Sequence, residues 1–380
     1  MKILIVSMRA PSLINLRASL IKELTLQNHD VYVTAPKTEI NKNIINKLNK
    51  IGAKYLPIDA DRTTLNPFAN LFIIISLMKL LVRNQFHTIF SYTVKPVIFS
   101  GIVVQLINIF SPKNNIKHIA LITGLGFAFT NGRNKTKRFF LKELLKFLYK
   151  ISLLNAKAII FQNSDDRDFF EKSILLNKNT ELGLVAGSGV NLDVFKEEKV
   201  ASEHVFLMLS RLNEDKGVKE YIEAAKILKL KYPNYIFRLA GHKDYGPSGI
   251  DEIYLEKVIE DGYIDYLGHL IDVREELKKC RYYVLPSYRE GMPRSVLEAL
   301  AVGRPIITSD VPGCRDTVNH GINGYLVKSK SVKSLTDYML KLSLLDDTKI
   351  NLMCQESLTL AKKKFSDIKV NKKIVKIIES

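Results

Sequence analysis

The chain has 380 residues, of which 57 are Lys or Arg and 39 are Asp or Glu, so its formal net charge is +18 at pH 7. This length predicts two domains, and a composition of 46% hydrophobic and 25% charged residues excludes general disorder. None of the three cysteines belongs to a C-x-x-C pair, which excludes a disulfide scaffold and a zinc ribbon and fits a reducing compartment.

In the first half of the chain, short β-rich runs alternate with longer helical patterns. Apolar strands that alternate with helices predict a parallel sheet covered on both faces. The opening run is too short for a signal peptide, and the apolar stretch 68–82 is too short and too interrupted to span a bilayer, so we expect a buried or surface helix there. Strands are predicted at 2–7, 30–34, 53–56, 88–92, 118–123 and 158–162, and helices between them, for example at 13–26, 41–51, 68–82 and 135–154.

The second half repeats this pattern and ends in a helical tail from about residue 349. Twelve or more strands would be unusual in one such sheet, so we expect two doubly wound, Rossmann-like domains at 1–185 and 186–380 that face each other across a cleft. The C-terminal helix is expected to pack back on the first domain. The cleft predicts a ligand at the carboxyl ends of the strands. Strands are predicted at 205–210, 236–240, 263–267, 282–286, 306–309 and 324–327, with a helix at 218–231.

The excess positive charge lies almost entirely in the first half. Residues 1–180 contain 26 basic and 10 acidic residues, a net +16, whereas residues 181–380 contain 31 and 29, a net +2. This asymmetry favours an anionic partner: nucleic acid, a phosphorylated substrate or an anionic membrane. A codon bias towards Lys would leave the balanced second half unexplained. Since no nucleic-acid-binding module is recognisable, nucleic acid is not expected as a partner.

The segment 282–299 carries the strongest chemical signal. An apolar strand ends at Pro286, a loop presents Glu290 and Gly291, and Pro293 suits the first turn of the helix that follows. Backbone N–H groups at this helix start can bind a sugar hydroxyl or a phosphate. Glu298 lies further along the same helix. The alternative is that Glu290 only favours the helix dipole and Glu298 is a solvated surface charge.

A second loop, between the strand 205–210 and the next helix, contains Arg211 and Lys216. Two cations beside a helix N-terminus can clamp a diphosphate. The alternative is a solvated loop with ordinary charges. Together, the two loops provide the cations and carboxylates that a nucleotide-diphosphate sugar requires.

These segments resemble the retaining, GT-B-fold glycosyltransferases of glycosyltransferase family 4 (group 1). The resemblance rests on the Glu-x7-Glu segment Glu290–Glu298, on Arg211 to Gly217, and on the segments 187–195 and 303–310. It implies a metal-independent enzyme without a cofactor, in which Arg211 and Lys216 neutralise the donor diphosphate, Glu290 contacts the donor sugar and Glu298 binds the ribose. The implied donor site also includes Gly291, Met292, Pro293, Arg294 and Ser295, with Leu267 and Gly268 near the base.

The first domain resembles the polyprenyl-diphosphate-sugar transferases of O-antigen, capsule and bacterial N-glycan assembly, through the segments 64–68, 93–96 and 123–129. This resemblance implies transfer of a sugar, a HexNAc in particular, from a UDP-sugar to an undecaprenyl-diphosphate-linked saccharide. The chain departs from the wider family in two places: Ser7–Ser12 replaces a loop with a Gly-Gly pair, and Val94 stands where some relatives carry His. Both departures concern the acceptor.

Candidate acceptor-binding residues follow three predicted strands of the first domain. Glycines after a strand allow close backbone approach to a ligand, a threonine offers a hydroxyl, and cations suit the acceptor diphosphate. The alternative for each cation is an ordinary surface charge. The candidates are Arg9, Arg17, Lys95, Thr123, Gly124 and Gly126.

The helix at 135–154 predicts membrane contact. Cations recur every fourth residue at Arg138, Lys142, Lys146 and Lys150, beside an apolar stretch that includes Phe140, Leu141, Leu144, Leu145 and Leu148. Such a helix suits an anionic membrane surface, although a core-packing helix with a solvated Lys face fits the pattern equally well. We therefore expect a cytoplasmic protein, peripheral on the inner face of the cell membrane.

Three other interpretations are less well supported. The D-x-D at Asp59 and Asp61 is the metal signature of a different glycosyltransferase architecture, but Arg62 adjoins it, and the seven histidines show no ligand spacing, so no metal site is expected. A nucleotide-sugar epimerase of similar two-domain fold is the main enzyme alternative. A transferase that acts on a non-lipid acceptor is the other.

Overall fold

The computed structural model of the protein describes residues 1–60, 67–126, 129, 135–174, 176–246 and 248–380. The chain divides into two compact units. The N-terminal unit comprises Met1–Ser188 together with Ile368–Ser380, and the C-terminal unit comprises Gly189–Asp367. The division between the units thus lies inside the glycine-containing segment 187–195, and the end of the chain belongs to the N-terminal unit.

A parallel sheet of seven strands, in the order β3-β2-β1-β4-β5-β6-β7, forms the centre of the N-terminal unit. Leu4 and Val6 of β1 enter the hydrophobic cluster on one face, whereas Ile3 and Ile5 enter the cluster on the other. Because both faces are covered, the strand is a continuous apolar run. The strands are β1 Lys2–Val6, β2 Asp30–Pro36, β3 Lys54–Ile58, β4 Thr88–Tyr92, β5 Lys117–Ile122, β6 Ala158–Phe161 and β7 Glu181–Leu184.

Helices cover both faces of this sheet. They are α1 Ala10–Asn15, α2 Ala18–Leu26, α3 Lys42–Lys50, α4 Pro67–Asn84, α5 Val94–Phe110, α6 Lys135–Leu153, α7 Ser164–Ser173 and, at the end of the chain, α14 Asp367–Glu379. Buried residues of α4, α5, α6 and α7 share the cluster that contains Leu4. Buried residues of α1, α2, α3 and α14 share the cluster that contains Ile3.

Two elements of this unit differ from the sequence prediction. The predicted helix 13–26 is two helices, because the chain leaves helical geometry at Leu16 and Arg17. The strand β7 was not predicted. Its Gly183 lies against α14, where an added Cβ would be 2.7 Å from Cδ1 of Ile377. The contact that covers β7 therefore comes from the opposite end of the chain.

The C-terminal unit contains a parallel sheet of six strands, in the order β10-β9-β8-β11-β12-β13. The strands are β8 Val205–Leu209, β9 Ile236–Ala240, β10 Asp265–Tyr266, β11 Tyr282–Leu285, β12 Ile306–Ser309 and β13 Gly324–Val327. The helices are α8 Val218–Lys231, α9 Glu252–Glu260, α10 Arg274–Lys279, α11 Arg294–Val302, α12 Val332–Ser343 and α13 Asp347–Leu360. The predicted doubly wound architecture is therefore confirmed in both units.

Each sheet has one topological switch point, where the strand order reverses. It lies between β1 and β4 in the N-terminal unit and between β8 and β11 in the C-terminal unit. Loops that leave the carboxyl ends of these strands diverge to opposite sides of the sheet and leave a crevice, which is where doubly wound sheets bind ligands. Most of the sequence-predicted site residues follow these same strands, and the others follow β5 and β10.

Candidate active site

The loop after β8 brings Lys216 to the switch point of the C-terminal unit. The side chain of Asn213 accepts a hydrogen bond from the backbone N–H of Lys216 at 3.2 Å and so caps a short turn, Glu214–Lys216. Gly217 follows with φ +73°, and an added Cβ there would lie 2.2 Å from the carbonyl oxygen of Pro286. Only glycine therefore allows this loop to touch the end of β11.

The loop after β11 places Glu290 against Lys216. The Lys216 ammonium donates to Oε1 of Glu290, and the Ser287 hydroxyl donates to the same oxygen at 2.8 Å. The backbone N–H of Tyr288 donates to the carbonyl of Asp215 at 2.8 Å, which joins the two loops. Glu290 is thus held by a cation, and the alternative that it only favours the helix dipole is wrong.

A third loop, after β12, supports the backbone at Glu290 and Gly291. The N–H of Glu290 donates to the carbonyl of Pro312 at 3.2 Å. Gly313 has φ +78°, and an added Cβ would lie 2.5 Å from the carbonyl oxygens of both Glu290 and Gly291. The buried Gly291 and its neighbour are therefore held between loops on two sides.

Helix α11 carries the second carboxylate of the Glu-x7-Glu segment. Pro293 is its N-cap residue rather than part of its first turn, and its carbonyl accepts the N–H of Leu297 at 3.2 Å. Glu298 is only 9% exposed, so the alternative of a solvated surface charge is wrong. Arg294 donates to Oε1 of Glu298 at 2.8 Å. Burial raises the pKa of Glu298, while Arg294 opposes that shift.

The remaining donor-site candidates lie around this centre. The hydroxyl of Ser295 donates to the carbonyl of Leu209 at 3.2 Å, which fixes the start of α11 to the end of β8. Met292 is half-buried in the loop before α11. By helix geometry, the N–H groups of Arg294 and Ser295 have no acceptor within α11 and can meet an anion, whereas that of Val296 donates to the carbonyl of Pro293 at 3.1 Å.

Arg211 leaves β8 on the same loop but pairs elsewhere. Its guanidinium lies 3.6 Å from Oδ2 of Asp244, and its side chain is 64% exposed. The side chain of Asn213 donates to the same Asp244 oxygen at 3.0 Å, and this bond is the main cause of the lowered pKa of Asp244. Arg211 is therefore close in sequence to Lys216 but does not join its ion pair with Glu290, and its side chain is accessible to solvent and ligands.

Leu267 and Gly268 follow β10, at the same edge of the sheet. The N–H of Leu267 donates to the carbonyl of Leu239 at 2.9 Å, and that of Gly241 donates to the carbonyl of Gly268 at 2.8 Å. The next residue, His269, stacks on His242 with ring centroids 3.5 Å apart. The loops after β9 and β10 are thus joined by backbone bonds and by an aromatic stack.

In the N-terminal unit, hydroxyl groups organise the loop after β1. Ser7 and Ser12 lie 3.1 Å apart through their hydroxyls, and the hydroxyl of Ser12 is 2.7 Å from that of Tyr92 at the end of β4. The Ser12 hydroxyl also donates to the carbonyl of Arg9 at 2.6 Å. Arg9 is exposed at the tip of this loop. Side-chain hydroxyls thus hold the loop Ser7–Ser12 in place.

Arg17 occupies a different place from Arg9. It is 1% exposed, and its guanidinium lies 4.8 Å from the centre of the Tyr92 ring. The alternative of an ordinary surface charge is therefore wrong for Arg17. Its buried charge lies beneath the ends of β1 and β4 and adds positive potential there.

The loops after β4 and β5 bring the other acceptor candidates together. Thr93 has φ +69°, a conformation that non-glycine residues rarely adopt, and Lys95 follows in the first turn of α5. After β5, Thr123 is half-buried and Gly124 and Gly126 have φ +116° and +77°. β4 and β5 are neighbours, so these loops share one edge. Residues 64–66, 127 and 128 of the motifs lie outside the described part of the chain.

The predicted cationic stripe on α6 is only partly solvated. Lys142 lies over the rings of Phe129 and Phe169, at 5.8 and 5.6 Å, whereas Lys146 pairs with Glu143 at 3.1 Å and Lys150 is exposed. The side chain of Arg138 lies outside the described residues. Leu145 and Leu148 pack against the core, while six described apolar residues of the helix are exposed: Phe139, Phe140, Leu141, Leu144, Phe147 and Ile151. The apolar residues of α6 that pack on the core are therefore different from those that are exposed and could contact a membrane.

None of the described helices combines the length and the apolar character that crossing a bilayer requires. Within the same part of the chain, no three His, Cys, Asp or Glu side chains are grouped so that they could hold a metal ion. Asp61 of the D-x-D lies outside the described residues, so that candidate pair cannot be placed.

Two parallel-sheet units with loop sites at their switch points define a GT-B architecture. Three solved structures share it over the whole of this chain. Sucrose-phosphate synthase from Thermosynechococcus elongatus has a TM-score of 0.80 and 17% sequence identity, over 98% of that chain. HepE of Anabaena in complex with UDP-glucose has a TM-score of 0.76 and 15% identity over 99% of that chain, and a glycosyltransferase from Rickettsia africae has a TM-score of 0.74 and 16% identity over 97% of that chain. At these identities the likeness concerns the fold. The predicted GT-B fold class is confirmed.

The sequence comparisons establish the family. Glycosyl transferases group 1 matches residues 191–356, and Glycosyl transferase 4-like matches residues 2–163. The chain is 31% identical to the N,N'-diacetylbacillosaminyl-diphospho-undecaprenol alpha-1,3-N-acetylgalactosaminyltransferase of Campylobacter jejuni, over 93% of this chain and 91% of that protein. It is 25% identical to the UDP-Gal:alpha-D-GlcNAc-diphosphoundecaprenol alpha-1,3-galactosyltransferase of Escherichia coli, over 74% and 72%. The chain therefore belongs to the group 1 glycosyltransferases, and it is a glycosyltransferase.

Sequence reasoning missed three residues that position the centre, Asn213, Ser287 and Gly313, and it missed the pairing of the two predicted residues Arg294 and Glu298. Asn213 precedes two acidic residues, a typical helix-cap pattern, and the i, i+4 spacing of Arg294 and Glu298 predicts their pairing, so both had local signals. Ser287 lies three residues before Glu290 in the same loop, whereas Gly313 acts through a contact between two loops. No local pattern reveals such contacts.

Proposed function

We propose that the protein transfers a sugar, with retention of anomeric configuration, from a UDP-sugar to an undecaprenyl-diphosphate-linked saccharide in surface glycan assembly. The observation that carries this proposal is the half-buried Lys216–Glu290 pair at the switch point, where a cation and a carboxylate meet beside a helix N-terminus. The names of the Campylobacter and Escherichia relatives support a lipid-linked acceptor, and the name of the Escherichia relative also supports a UDP-sugar donor.

Lys216 and Arg211 would neutralise the donor diphosphate. Lys216 is already held by Asn213 and Glu290, so little reorganisation is needed when charge develops on the leaving group. Arg211 is exposed and pairs only at 3.6 Å, so it can turn from Asp244 to a phosphate at small cost. The N-terminus of α11 adds N–H donors. These cations support the proposal that no metal ion or other cofactor is required.

The two carboxylates would recognise hydroxyl groups of the donor. Glu290 has one oxygen engaged by Lys216 and Ser287, so its second oxygen can accept a sugar hydroxyl. Glu298 is buried beside the start of α11 and paired to Arg294, which keeps it oriented to accept from a ribose. The loop of Leu267 and Gly268 would lie near the base, with the His242–His269 stack beside it.

The N-terminal unit would bind the acceptor. Arg9, Lys95 and the buried Arg17 concentrate positive charge at the ends of β1 and β4, where an acceptor diphosphate could bind. Thr123 and the glycines of the β5 loop provide a hydroxyl and close backbone approach. In the reaction, the acceptor hydroxyl attacks the anomeric carbon from the face that the diphosphate leaves. The C–O bond to the diphosphate breaks, and the hydroxyl proton passes to the departing phosphate.

A transfer assay tests this proposal directly. Purified protein is incubated with labelled UDP- and GDP-sugars and a polyprenyl-diphosphate-monosaccharide, with EDTA present throughout, and the anomeric configuration of any product is read by NMR. Label from a UDP-sugar in the lipid fraction, with an axial linkage, is the expected result. Interconversion of the sugar in the aqueous phase, without transfer, would favour an epimerase. Transfer only to a water-soluble sugar would favour the non-lipid acceptor.

The lipid-linked acceptor also implies a location. We expect a peripheral protein on the inner face of the cell membrane, which the exposed Lys150 and the apolar residues of α6 support. Cosedimentation of the protein with membranes at low salt, and its release at high salt, is the corresponding observation.

A further inference from the structure

Three helices lie side by side on one face of the N-terminal sheet. α5 packs against both α4 and α6, and buried residues of all three share one hydrophobic cluster. Most of α5 is buried between its neighbours. The outer sides of α4 and α6 therefore flank α5 on the same layer of the domain.

The outer side of α4 exposes large apolar residues. Leu71, Phe72 and Ile75 are 52%, 69% and 38% exposed, while Ile73 and Leu77 on the inner side are buried. The sequence predicted either a buried helix or a surface helix here. In the structure, one side of α4 is buried in the core and the opposite side is exposed. α6 repeats the arrangement, with Phe140 and Leu144 outside and Tyr149 and Leu153 inside. Apolar exposure on two helices that flank the same third helix indicates an interaction surface.

The exposed apolar residues lie near the acceptor-binding edge. α4 leads from β3 to β4 and α6 leads from β5 to β6, all within a parallel sheet. A connecting helix in such a sheet runs antiparallel to the strands, so it begins at their carboxyl ends. Phe72 and Phe140 lie in the first half of their helices, towards the edge that carries Arg9, Lys95 and Thr123.

Charge decides which partner fits this surface. α4 contains Lys79 and Arg83 and no acidic residue, and α6 contains a single acidic residue, Glu143, among six basic ones. A second copy of the chain would bring two basic faces together, which repulsion disfavours. A nucleic-acid duplex bound through its phosphates would leave the exposed phenylalanines in water. An anionic lipid surface satisfies both features, because aromatic side chains enter the interface while cations contact the headgroups.

We propose that α4 and α6 together form a two-helix docking surface for an anionic bilayer, which holds the acceptor-binding edge of the N-terminal unit at the membrane. This inference rests on the proposed lipid-linked acceptor and adds α4 to the membrane contact. It explains how a diphosphate-linked saccharide reaches Arg9 and Lys95 while its polyprenyl tail stays in the bilayer. Anchoring would also raise the local concentration of the acceptor.

Vesicle flotation tests the surface without reference to catalysis. The variants are Phe72→Glu on α4 and Phe140→Glu on α6, alone and combined, with Ile271→Glu, which is 98% exposed in the C-terminal unit, as the matched control. Vesicles contain phosphatidylcholine with phosphatidylglycerol, or phosphatidylcholine alone. We expect each single variant to lower partitioning into anionic vesicles, the double variant to lower it about tenfold or more, and the control to bind like the wild type. Neutral vesicles should bind the wild type weakly.

Two outcomes would overturn the inference. Binding that Phe72→Glu leaves unchanged would remove α4 from the surface. A wild-type dimer that Phe72→Glu dissociates, with vesicle binding unaltered, would assign the surface to a second copy. A short-chain, water-soluble diphosphate acceptor separates this inference from the proposed function, because the surface variants should transfer sugar to it like the wild type. If the wild type transfers to no acceptor, the proposed function fails while the flotation result still decides the surface.

Discussion

The two switch points of the protein have the same topology but different internal chemistry. In the C-terminal unit, each carboxylate has its own cation, Lys216 for Glu290 and Arg294 for Glu298, and glycines bring loop backbones into contact. In the N-terminal unit, hydroxyls of Ser7, Ser12 and Tyr92 join the loops. Paired carboxylates suit a ligand with both sugar hydroxyls and phosphates, whereas a positive edge suits a diphosphate. The fold therefore provides the crevice, and the loop residues decide which ligand enters it.

The largest expected effect is the loss of the Lys216 charge. Lys216→Ala should lower sugar transfer by on the order of 10²-fold or more, because one preorganised charge contact to the leaving group is removed. The measurement is kcat/KM for both substrates. Lys219→Ala, an exposed lysine on α8, is the matched control and should retain activity. Near-normal activity of Lys216→Ala would remove Lys216 from the reaction centre.

A pair of glycine variants tests the contact between the loops. Gly217 and Gly262 have nearly the same φ, +73° and +74°, but an added Cβ meets the Pro286 carbonyl only at Gly217, while nothing lies within 4 Å at Gly262. Gly262→Ala should cost about 1–2 kcal/mol in unfolding free energy from backbone strain alone. Gly217→Ala should cost at least about 3 kcal/mol and also lower transfer. Denaturant titration measures both, and equal costs would contradict the close approach.

Acid should destabilise the N-terminal unit through a buried histidine. His118 is fully buried beside the Ser91 hydroxyl at 2.8 Å, and burial lowers its pKa from 6.5 to about 4. Because the unfolded chain binds this proton more readily, stability is lost as the pH falls from about 6.5 towards 4, by about 3 kcal/mol over that interval. His118→Gln should flatten this part of the stability profile, measured by urea titration at several pH values. His242→Gln, at an exposed position, should leave the slope unchanged, and a slope insensitive to His118 would refute this account.

The smallest expected effect concerns the acceptor edge. Arg9→Ala should raise the KM for the lipid-linked acceptor about tenfold, the usual value of one charge-assisted hydrogen bond, and leave the KM for the donor unchanged. Lys22→Ala, an exposed lysine on α2, serves as the control. A rise in the donor KM instead would reverse the assignment of the two units to donor and acceptor.

Much of the site was accessible from the sequence because its residues lie in short segments after apolar strands. Lys216, Glu290 and Glu298 are in such segments, and the structure brings the first two into contact as an ion pair. The supporting contacts were not accessible in this way. Gly313 follows a different strand from Glu290, so its contact with the Glu290 and Gly291 carbonyls depends on the order of strands in the sheet.

The sequence by itself determined the alternation of strands and helices, the two doubly wound units, the charge asymmetry and the loops that carry the chemistry, because each of these is encoded by neighbouring residues. Only the tertiary structure decided which residues are buried and which distant residues they pack against. Arg17 is buried beneath Tyr92, β7 is covered by Ile377 from the end of the chain, and Glu298 is shielded although its residue type is usually solvated. α6 has apolar residues on two sides, and periodicity cannot tell which side packs on the sheet and which faces outwards. Burial depends on partners distant in sequence, and local patterns do not contain that information.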